Sequence, residues 1–193
     1  MKNKKDFKLD DTWIRAQRGD KNKTDPYRPY AFNIERERTS SGRIEDIATI
    51  FLTNKECPFT CLMCDLWKNT TNEKVPPGAI PEQISWALEQ LPPIKHIKLY
   101  NSGNFFDKQA IPLEDYAKIA SIVQQFETVI VESHPRLIND KALYFRDILK
   151  TDMEVAIGLE SVHPGVLPKL NKRMELEDFK NSVEFLNQND IMS

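Results

Sequence analysis

Three cysteines lie close together in the sequence, at Cys57, Cys61 and Cys64, and the chain has no others. Their CxxxCxxC spacing lets three thiolates converge from one short loop, and soft thiolates select iron–sulfur clusters or zinc. A cubane cluster normally takes four cysteines, so three would leave one iron with open coordination positions. The spacing therefore predicts a metal centre that can bind a further ligand directly.

Zinc is the simpler alternative for these thiols. A structural zinc site needs a fourth protein ligand, which would have to be one of the distant histidines His96, His134 or His163. A disulfide framework is not expected, because three clustered cysteines are an odd number. The pattern favours an iron–sulfur centre and leaves zinc as the alternative.

The cysteine segment follows the first of four apolar stretches that predict short strands, at 47–53, 96–100, 128–132 and 153–159. Stretches with apolar residues at helical spacing alternate with them, at 81–91, 113–126, 140–149 and 178–187. This alternation predicts an α/β fold with four right-handed βα units, a parallel sheet and helices on its outer face. The carboxyl ends of parallel strands conventionally carry chemistry, and the cysteines follow such an end.

Polar residues follow the second and third strands at the same edge. Ser102, Gly103 and Asn104 come after the second strand, and these residue types favour an ordinary turn in any case. Glu132 ends the third strand. A carboxylate there is costly to bury without a partner, although a position at the surface is the alternative. Both segments are candidates for binding a ligand.

The stretch after the fourth strand carries Glu160 and Ser161, and two bases, Lys172 and Arg173, follow it. A base in this position can bind a carboxylate, and the bidentate fork favours Arg173. Solvated surface charge is the alternative for both bases.

Charge is unevenly spread along the 193 residues. Residues 1–45 are polar and carry a net charge of +4, whereas the remaining residues carry −6. We expect residues 1–45 to form an irregular N-terminal arm and residues 46–193 to form the core domain. Hydrophobic residues make up 40% of the chain without any long apolar run, which predicts a soluble, cytoplasmic protein with no membrane span.

A CxxxCxxC directly after the first strand of a βα series resembles the radical S-adenosylmethionine (SAM) superfamily. The three cysteines of that superfamily hold a [4Fe-4S] cluster, and the fourth iron chelates SAM. The later strand ends resemble the branch that includes elongator-complex proteins and oxygen-independent coproporphyrinogen oxidase. The matching segments are Ser102-Gly103-Asn104-Phe105, Glu132-Ser133-His134-Pro135, Gly158-Leu159-Glu160-Ser161 and Asn171-Lys172-Arg173.

The resemblance implies roles for these residues. The metal ligands would be Cys57, Cys61 and Cys64. In the branch, the turn after the second strand receives the SAM ammonium, the glutamate lies beside SAM, and the later segments hold its ribose or carboxylate. The implied cofactor-binding residues are Ser102, Gly103, Asn104, Glu132, Glu160, Ser161, Lys172 and Arg173.

The resemblance implies a radical SAM enzyme, or its cofactor-binding half, that generates a 5′-deoxyadenosyl radical. Residues 99–107 look closest to archaeosine-synthase-type tRNA enzymes, which implies tRNA as the substrate, and the electron donor would be a ferredoxin or flavodoxin. The alternative from another class is a non-catalytic iron–sulfur or zinc-binding fragment that lacks the substrate half.

The superfamily barrel usually has six βα units, whereas about four are visible in the sequence. Residues 191–193 look like the first residues of a fifth strand, so we expect a partial (βα) barrel truncated at the C-terminus. Such a half-barrel would leave an apolar flank and an unpaired edge at the fourth predicted strand. We therefore expect the chain to be marginal in isolation, or completed by a partner chain.

Overall fold

The structure is a computed structural model that describes residues 9–193. Within this range the strands form one five-stranded sheet in the order β1-β2-β3-β4-β5. The strands are β1 (Ala31–Arg38), β2 (Ile44–Leu52), β3 (His96–Asn101), β4 (Thr128–Glu132) and β5 (Asp152–Ala156). The part of the predicted arm that covers residues 1–8 lies outside the described residues.

In the described residues, one α-helix precedes the sheet, three connect its parallel strands and one follows the last strand. The α-helices of the described range are α1 (Asp11–Ala16), α2 (Ala79–Leu88), α3 (Tyr116–Val123), α4 (Asp140–Ile148) and α5 (Leu176–Gln188). Short 3-10 helices cover Leu66–Asn69, Leu113–Asp115, Pro135–Leu137 and Leu167–Leu170. The four predicted helices are confirmed, although the first one starts at Ala79 and ends at Leu88.

Strands β2 to β5 are all parallel and pair with their neighbours in sequence order. Apolar residues on one face of these strands explain this arrangement. Ile50, Leu99 and Val131 lie on the face that packs under the helices, and the residues that alternate with them lie on the other face. The prediction of an α/β fold is confirmed. The sheet is not a closed barrel, since β1 and β5 are its two edges.

The prediction of an irregular arm is wrong for residues 31–38. These residues form β1, which pairs antiparallel with β2 from Ala31 opposite Phe51 to Arg38 opposite Ile44. A tight turn with Gly42 at φ 79° joins the two strands, and a positive φ is a conformation that glycine adopts at little cost. The predicted domain boundary at residue 45 therefore lies inside β2.

The face of the sheet opposite the helices is largely polar. Lys98 lies on this face with only 7% of its side chain exposed, and it pairs with Glu37 and, at 3.7 Å, with Glu35. Thr49 donates a hydrogen bond to the same Glu35 carboxylate at 2.8 Å. Charged and hydroxyl side chains from β1 to β3 therefore satisfy one another on this face. The apolar flank predicted at the last strand concerns the β5 edge and stays a prediction.

An aromatic cluster fixes the loop that follows β3. Phe105 is fully buried, and its ring centroid lies 4.8 Å from that of Phe145 in α4 and 5.5 Å from that of Tyr116 in α3. The Tyr116 hydroxyl also donates to the Phe105 carbonyl at 3.1 Å. These contacts hold the turn at 102–104 against the helical layer, next to the cysteine segment.

The last residues of the chain lie beside β5. Val155 N–H donates to the Met192 carbonyl at 2.9 Å, and Met192 forms a single parallel bridge with Glu154. The predicted start of a fifth parallel strand is present as this one bridge. In residues 9–193, no helix is long and apolar enough to cross a membrane.

Gln83 of α2 holds the end of β2 in place and gives a test of the fold. Its amide accepts from Thr53 N–H at 2.8 Å and donates to the carbonyls of Thr53 and Pro26 at 2.8 and 2.7 Å. We expect Gln83→Met to lower the free energy of unfolding by about 2–3 kcal/mol, because buried backbone groups lose their partners. Urea denaturation measures this loss.

Gln90→Met is the matched control, because Gln90 is exposed and makes a single bond, to the Trp86 carbonyl. It should change the unfolding free energy by no more than about 0.5 kcal/mol. Equal losses in the two variants would show that the buried amide does not hold the β2 end.

Candidate functional site

The three cysteines lie in the segment 53–65 after β2, which we call the cysteine loop. All three line one cleft of about 350 Å³ at the carboxyl ends of the parallel strands. Other segments that face this cysteine cleft come from the ends of β3, β4 and β5. Their lining residues include Ser102, Gly103, Asn104, Glu132, His134, Gly158, Glu160 and Lys172.

A chain of hydrogen bonds joins the four strand ends. The Asn104 amide donates to Cys57 Sγ at 3.2 Å, and its oxygen accepts from His134 N–H at 2.5 Å. The His134 ring then reaches the Lys172 carbonyl at 2.9 Å. Because Asn104 uses both ends of its amide, the loops after β2, β3 and β4 keep a fixed spacing.

His134 is a neutral imidazole in this position. Its Nδ1 accepts from Arg136 N–H at 3.2 Å, so Nε2 carries the proton and donates to Lys172. Burial lowers the pKa of His134 to about 4. Its ring stacks on Phe59 of the cysteine loop, with centroids 3.9 Å apart. These contacts of His134 therefore support the cysteine loop.

Burial keeps two thiols of the cysteine loop, those of Cys57 and Cys61, protonated. It raises the pKa of Cys57 to about 12 and that of Cys61 to about 11, and the neighbouring thiols reinforce the effect. A metal cation reverses this balance, because it replaces the protons and neutralises the thiolates. The desolvated thiols therefore favour a cationic centre.

Glu132 supplies a carboxyl group on the opposite wall of the cleft. Burial raises its pKa to about 8, although the Asn101 N–H donates to the carboxylate at 2.8 Å and opposes the rise. The buried carboxylate therefore lacks a cationic partner among the described residues. A ligand with a positive charge would lower this cost.

Lys172 is the one Lys or Arg side chain that lines the cleft within the described range. Its ammonium donates to the Gly158 carbonyl at 2.5 Å and to Glu160 Oε1 at 2.7 Å. A Cβ at Gly158 would lie 2.7 Å from Glu160 Oε1 and 2.8 Å from Lys172 Nζ. A side chain at this position would therefore displace the ends of the Glu160 and Lys172 side chains from their present positions.

The N-terminal helix clamps the cysteine loop from outside. The Asp11 carboxylate accepts from Thr60 of the loop, from Asn171 at 2.8 Å and from Arg173. Asn171 also donates to the Thr60 carbonyl at 2.8 Å. These contacts form a clasp, made by Asp11, Thr60, Asn171 and Arg173, that closes the loop against the segment after β5.

Basic residues of the arm pair with a glutamate beside the first cysteine. Arg15, Arg18 and Lys21 all lie within 3.2 Å of the Glu56 carboxylate. Part of the positive charge predicted for the arm therefore forms ion pairs with the cysteine loop. Sequence reasoning missed both Glu56 and the clasp, since isolated charges in a polar arm give no periodic signal.

The structure brings together most of the predicted site residues, and two lie elsewhere. Arg173 pairs with Asp11 outside the cleft, so Lys172 is the base that faces it. Ser161 does not line the cleft either, and its hydroxyl accepts from His163 N–H at 3.1 Å. Phe59 also lines the cleft, and the sequence analysis assigns it no role.

The histidines considered as zinc ligands have separate positions. His96 lies on the sheet 3.3 Å from Glu45, and the His163 ring accepts from Gly165 N–H. Only His134 of the three lines the cleft. Across residues 9–193, no three His, Cys, Asp or Glu side chains are grouped so that they could hold one metal ion.

Two curated proteins are similar to this chain. One is an uncharacterised protein of Methanocaldococcus jannaschii, 28% identical over 151 residues, which cover 70% of this chain. The other is named archaeosine synthase subunit beta, from Thermococcus kodakarensis, and is 27% identical over 133 residues, or 64% of this chain. The matches span 41% of the length of each relative. No protein-family profile and no solved structure matches the chain.

The clasp predicts how the cysteine loop responds to loss of Asp11. We expect Asp11→Ala to speed alkylation of Cys61 and Cys64 by about fivefold, because losing about 1 kcal/mol of hydrogen bonding makes local opening easier. Timed alkylation with mass spectrometry measures the rates. Asp20→Ala, in the same arm, is the control and should leave them unchanged; equal rates in all three proteins would contradict the clasp.

The same carboxylate gives a pH dependence. Hydrogen bonds from Thr60 and Asn171 hold the pKa of Asp11 below its usual value. Its contribution to stability is therefore complete above about pH 4 and is lost as the pH falls through the lowered pKa. We expect the protection of Cys61 and Cys64 from alkylation to decrease over this acid range in the native protein and to stay constant in Asp11→Ala.

Proposed function

We propose that this chain is the cofactor-binding part of a radical SAM enzyme. Cys57, Cys61 and Cys64 would hold a [4Fe-4S] cluster, and the facing wall of the cleft would hold SAM. The observation that carries the proposal is the single cleft in which three thiols of one loop face Glu132 and Lys172 from other strand ends.

The donor set fits an iron–sulfur cluster. Three cysteines with no fourth leave one iron free, and each thiolate would bind a different iron, so the thiols need not converge on a single ion. The Asn104 N–H already points at Cys57 Sγ at 3.2 Å. Hydrogen bonds to sulfur and exclusion of water are the means by which proteins tune such clusters.

The rest of the cleft fits an amino-acid ligand that carries extra positive charge. Lys172 offers an ammonium to a carboxylate, whereas Glu132 and the turn at 102–104 lie on another side. Asp65, Glu132 and Glu160 give the cleft three carboxylates against one ammonium. SAM has an α-carboxylate, an α-ammonium and a sulfonium, and this charge pattern is complementary to the cleft.

With both groups bound, the chemistry available would be one-electron reductive cleavage of the sulfonium C–S bond, which releases methionine and gives a 5′-deoxyadenosyl radical for hydrogen abstraction from a substrate. The residues of this chain would bind and orient the cofactors rather than move protons. Glu132 would face the cationic part of SAM, and Lys172 would face its carboxylate. Phe59 and His134 would keep the loop closed against water.

Three wider parts of the proposal rest on resemblance. The open sheet would be a partial radical SAM barrel, to which a partner chain or further strands add at the β5 edge. One relative is named archaeosine synthase subunit beta, and with the resemblance of residues 99–107 this supports tRNA as the substrate. A ferredoxin or flavodoxin would be the reductant.

Anaerobic reconstitution with iron and sulfide tests the metal centre. We expect about four iron and four sulfide per chain, a brown protein, and loss of both in Cys57→Ala, Cys61→Ala and Cys64→Ala. Met63→Ala is the matched control, because Met63 lies between two of the cysteines, is 47% exposed, and should leave the metal content unchanged. Metal and sulfide analysis with absorption spectra provides the measurement.

Each outcome separates the candidates. Release of 5′-deoxyadenosine with SAM and dithionite supports the enzyme. A cluster without this product supports the non-catalytic iron–sulfur module, and zinc without sulfide removes the radical SAM proposal. Metal content that does not change in the three alanine variants excludes the cysteines as ligands.

A further inference from the structure

The ion pair between Lys172 and Glu160 stands inside the cleft that we assign to a ligand with a carboxylate. Lys172 is anchored, since its side chain is 9% exposed, its ammonium donates to the Gly158 carbonyl, and its own carbonyl accepts from His134. Its ammonium is therefore fixed in place before any ligand arrives. The carboxylate that pairs with this ammonium belongs to Glu160, a residue of the same chain.

Glu160 is held much less firmly than Lys172. Its side chain is 40% exposed, and its one hydrogen-bonded partner in the described residues is the Lys172 ammonium. Its backbone has φ 68°, a left-handed conformation that is uncommon for glutamate. Because the Glu160 carboxylate of this ion pair is partly exposed to solvent, another carboxylate can easily replace it.

We propose that Glu160 takes the place of the ligand carboxylate: it pairs with Lys172 while no ligand is bound and is displaced when SAM binds. This inference rests on the proposed function, since it needs SAM as the ligand. It assigns the residue a role opposite to direct cofactor binding. Glu160 would compete with the ligand carboxylate for Lys172 and would weaken the binding of ligands that carry one.

The geometry around the pair supports an exchange of carboxylates. The Gly158 position, where a Cβ would approach both charged groups within 2.8 Å, brings the ammonium and the carboxylate together directly over the backbone. Both residues line the cleft together with Cys61, so the ammonium is reachable from the space that the ligand would fill. When Glu160 leaves, its side chain moves towards solvent rather than into the core.

Binding of two probes tests the inference. The probes are SAM and decarboxylated S-adenosylmethionine, which lacks the carboxylate, and both are measured by anaerobic equilibrium dialysis on the cluster-loaded protein without reductant. We expect Glu160→Gln to tighten SAM binding by about two- to fivefold, the range of a half-exposed ion pair. Binding of the decarboxylated probe should not tighten, because it does not compete for Lys172.

Two further variants complete the design. Lys172→Met should reduce the ratio between the dissociation constants of the two probes, because one of the groups that distinguish them is gone. Glu177→Gln is the matched control, since Glu177 pairs with Lys180 at 3.8 Å on the exposed surface of α5. It should change neither constant. Circular dichroism and iron content verify that every variant is folded and loaded.

The opposite results overturn the inference. If Glu160→Gln weakens both probes equally, Glu160 contacts the ligand directly; if the SAM constant is unchanged, Glu160 does not compete. In either case SAM still binds, and the proposed function stands. Failure of the native protein to bind either probe removes the proposed function, and the inference with it.

Discussion

The site depends on one side-chain amide that bonds in both directions. Asn104 donates to a thiol of the cysteine loop and accepts from the backbone of the loop after β4. A residue with only a donor or only an acceptor could not join these two loops. The aromatic contacts of Phe105 fix the position of Asn104 itself, since they hold this turn against the helical layer. Packing in the core thus sets the spacing of the polar groups that line the cleft at the carboxyl ends of the parallel strands.

Electrostatics in the cleft follow from burial. Water is partly excluded, so the neutral forms of the Cys57 and Cys61 thiols, the carboxyl of Glu132 and the imidazole of His134 are all favoured. The ammonium of Lys172 has both a carbonyl and a carboxylate as hydrogen-bond partners in the same cleft. A positive charge placed beside such a carboxyl or thiol group would stabilise its ionised form.

Sequence patterns predicted the parallel strands because buried β-strands have a strong apolar signal. Residues 128–132, for example, form β4 as predicted, and the cysteines follow β2. The strand β1 was missed, since the charged run Glu35 to Arg38 on an edge strand hides its alternation. The clasp was missed for another reason. Asp11 and Arg173 are far apart in sequence, and neither residue has a local pattern that indicates its partner.

The clasp has a consequence for the order in which the site can assemble. Asp11 and Asn171 are separated by 160 positions, so the contact has a high sequence separation and forms late in folding. A chain emerging from the ribosome has its cysteines outside long before residues 171–173 are available to close over them. The thiols therefore stay accessible to solvent during synthesis, and the loop is closed only afterwards.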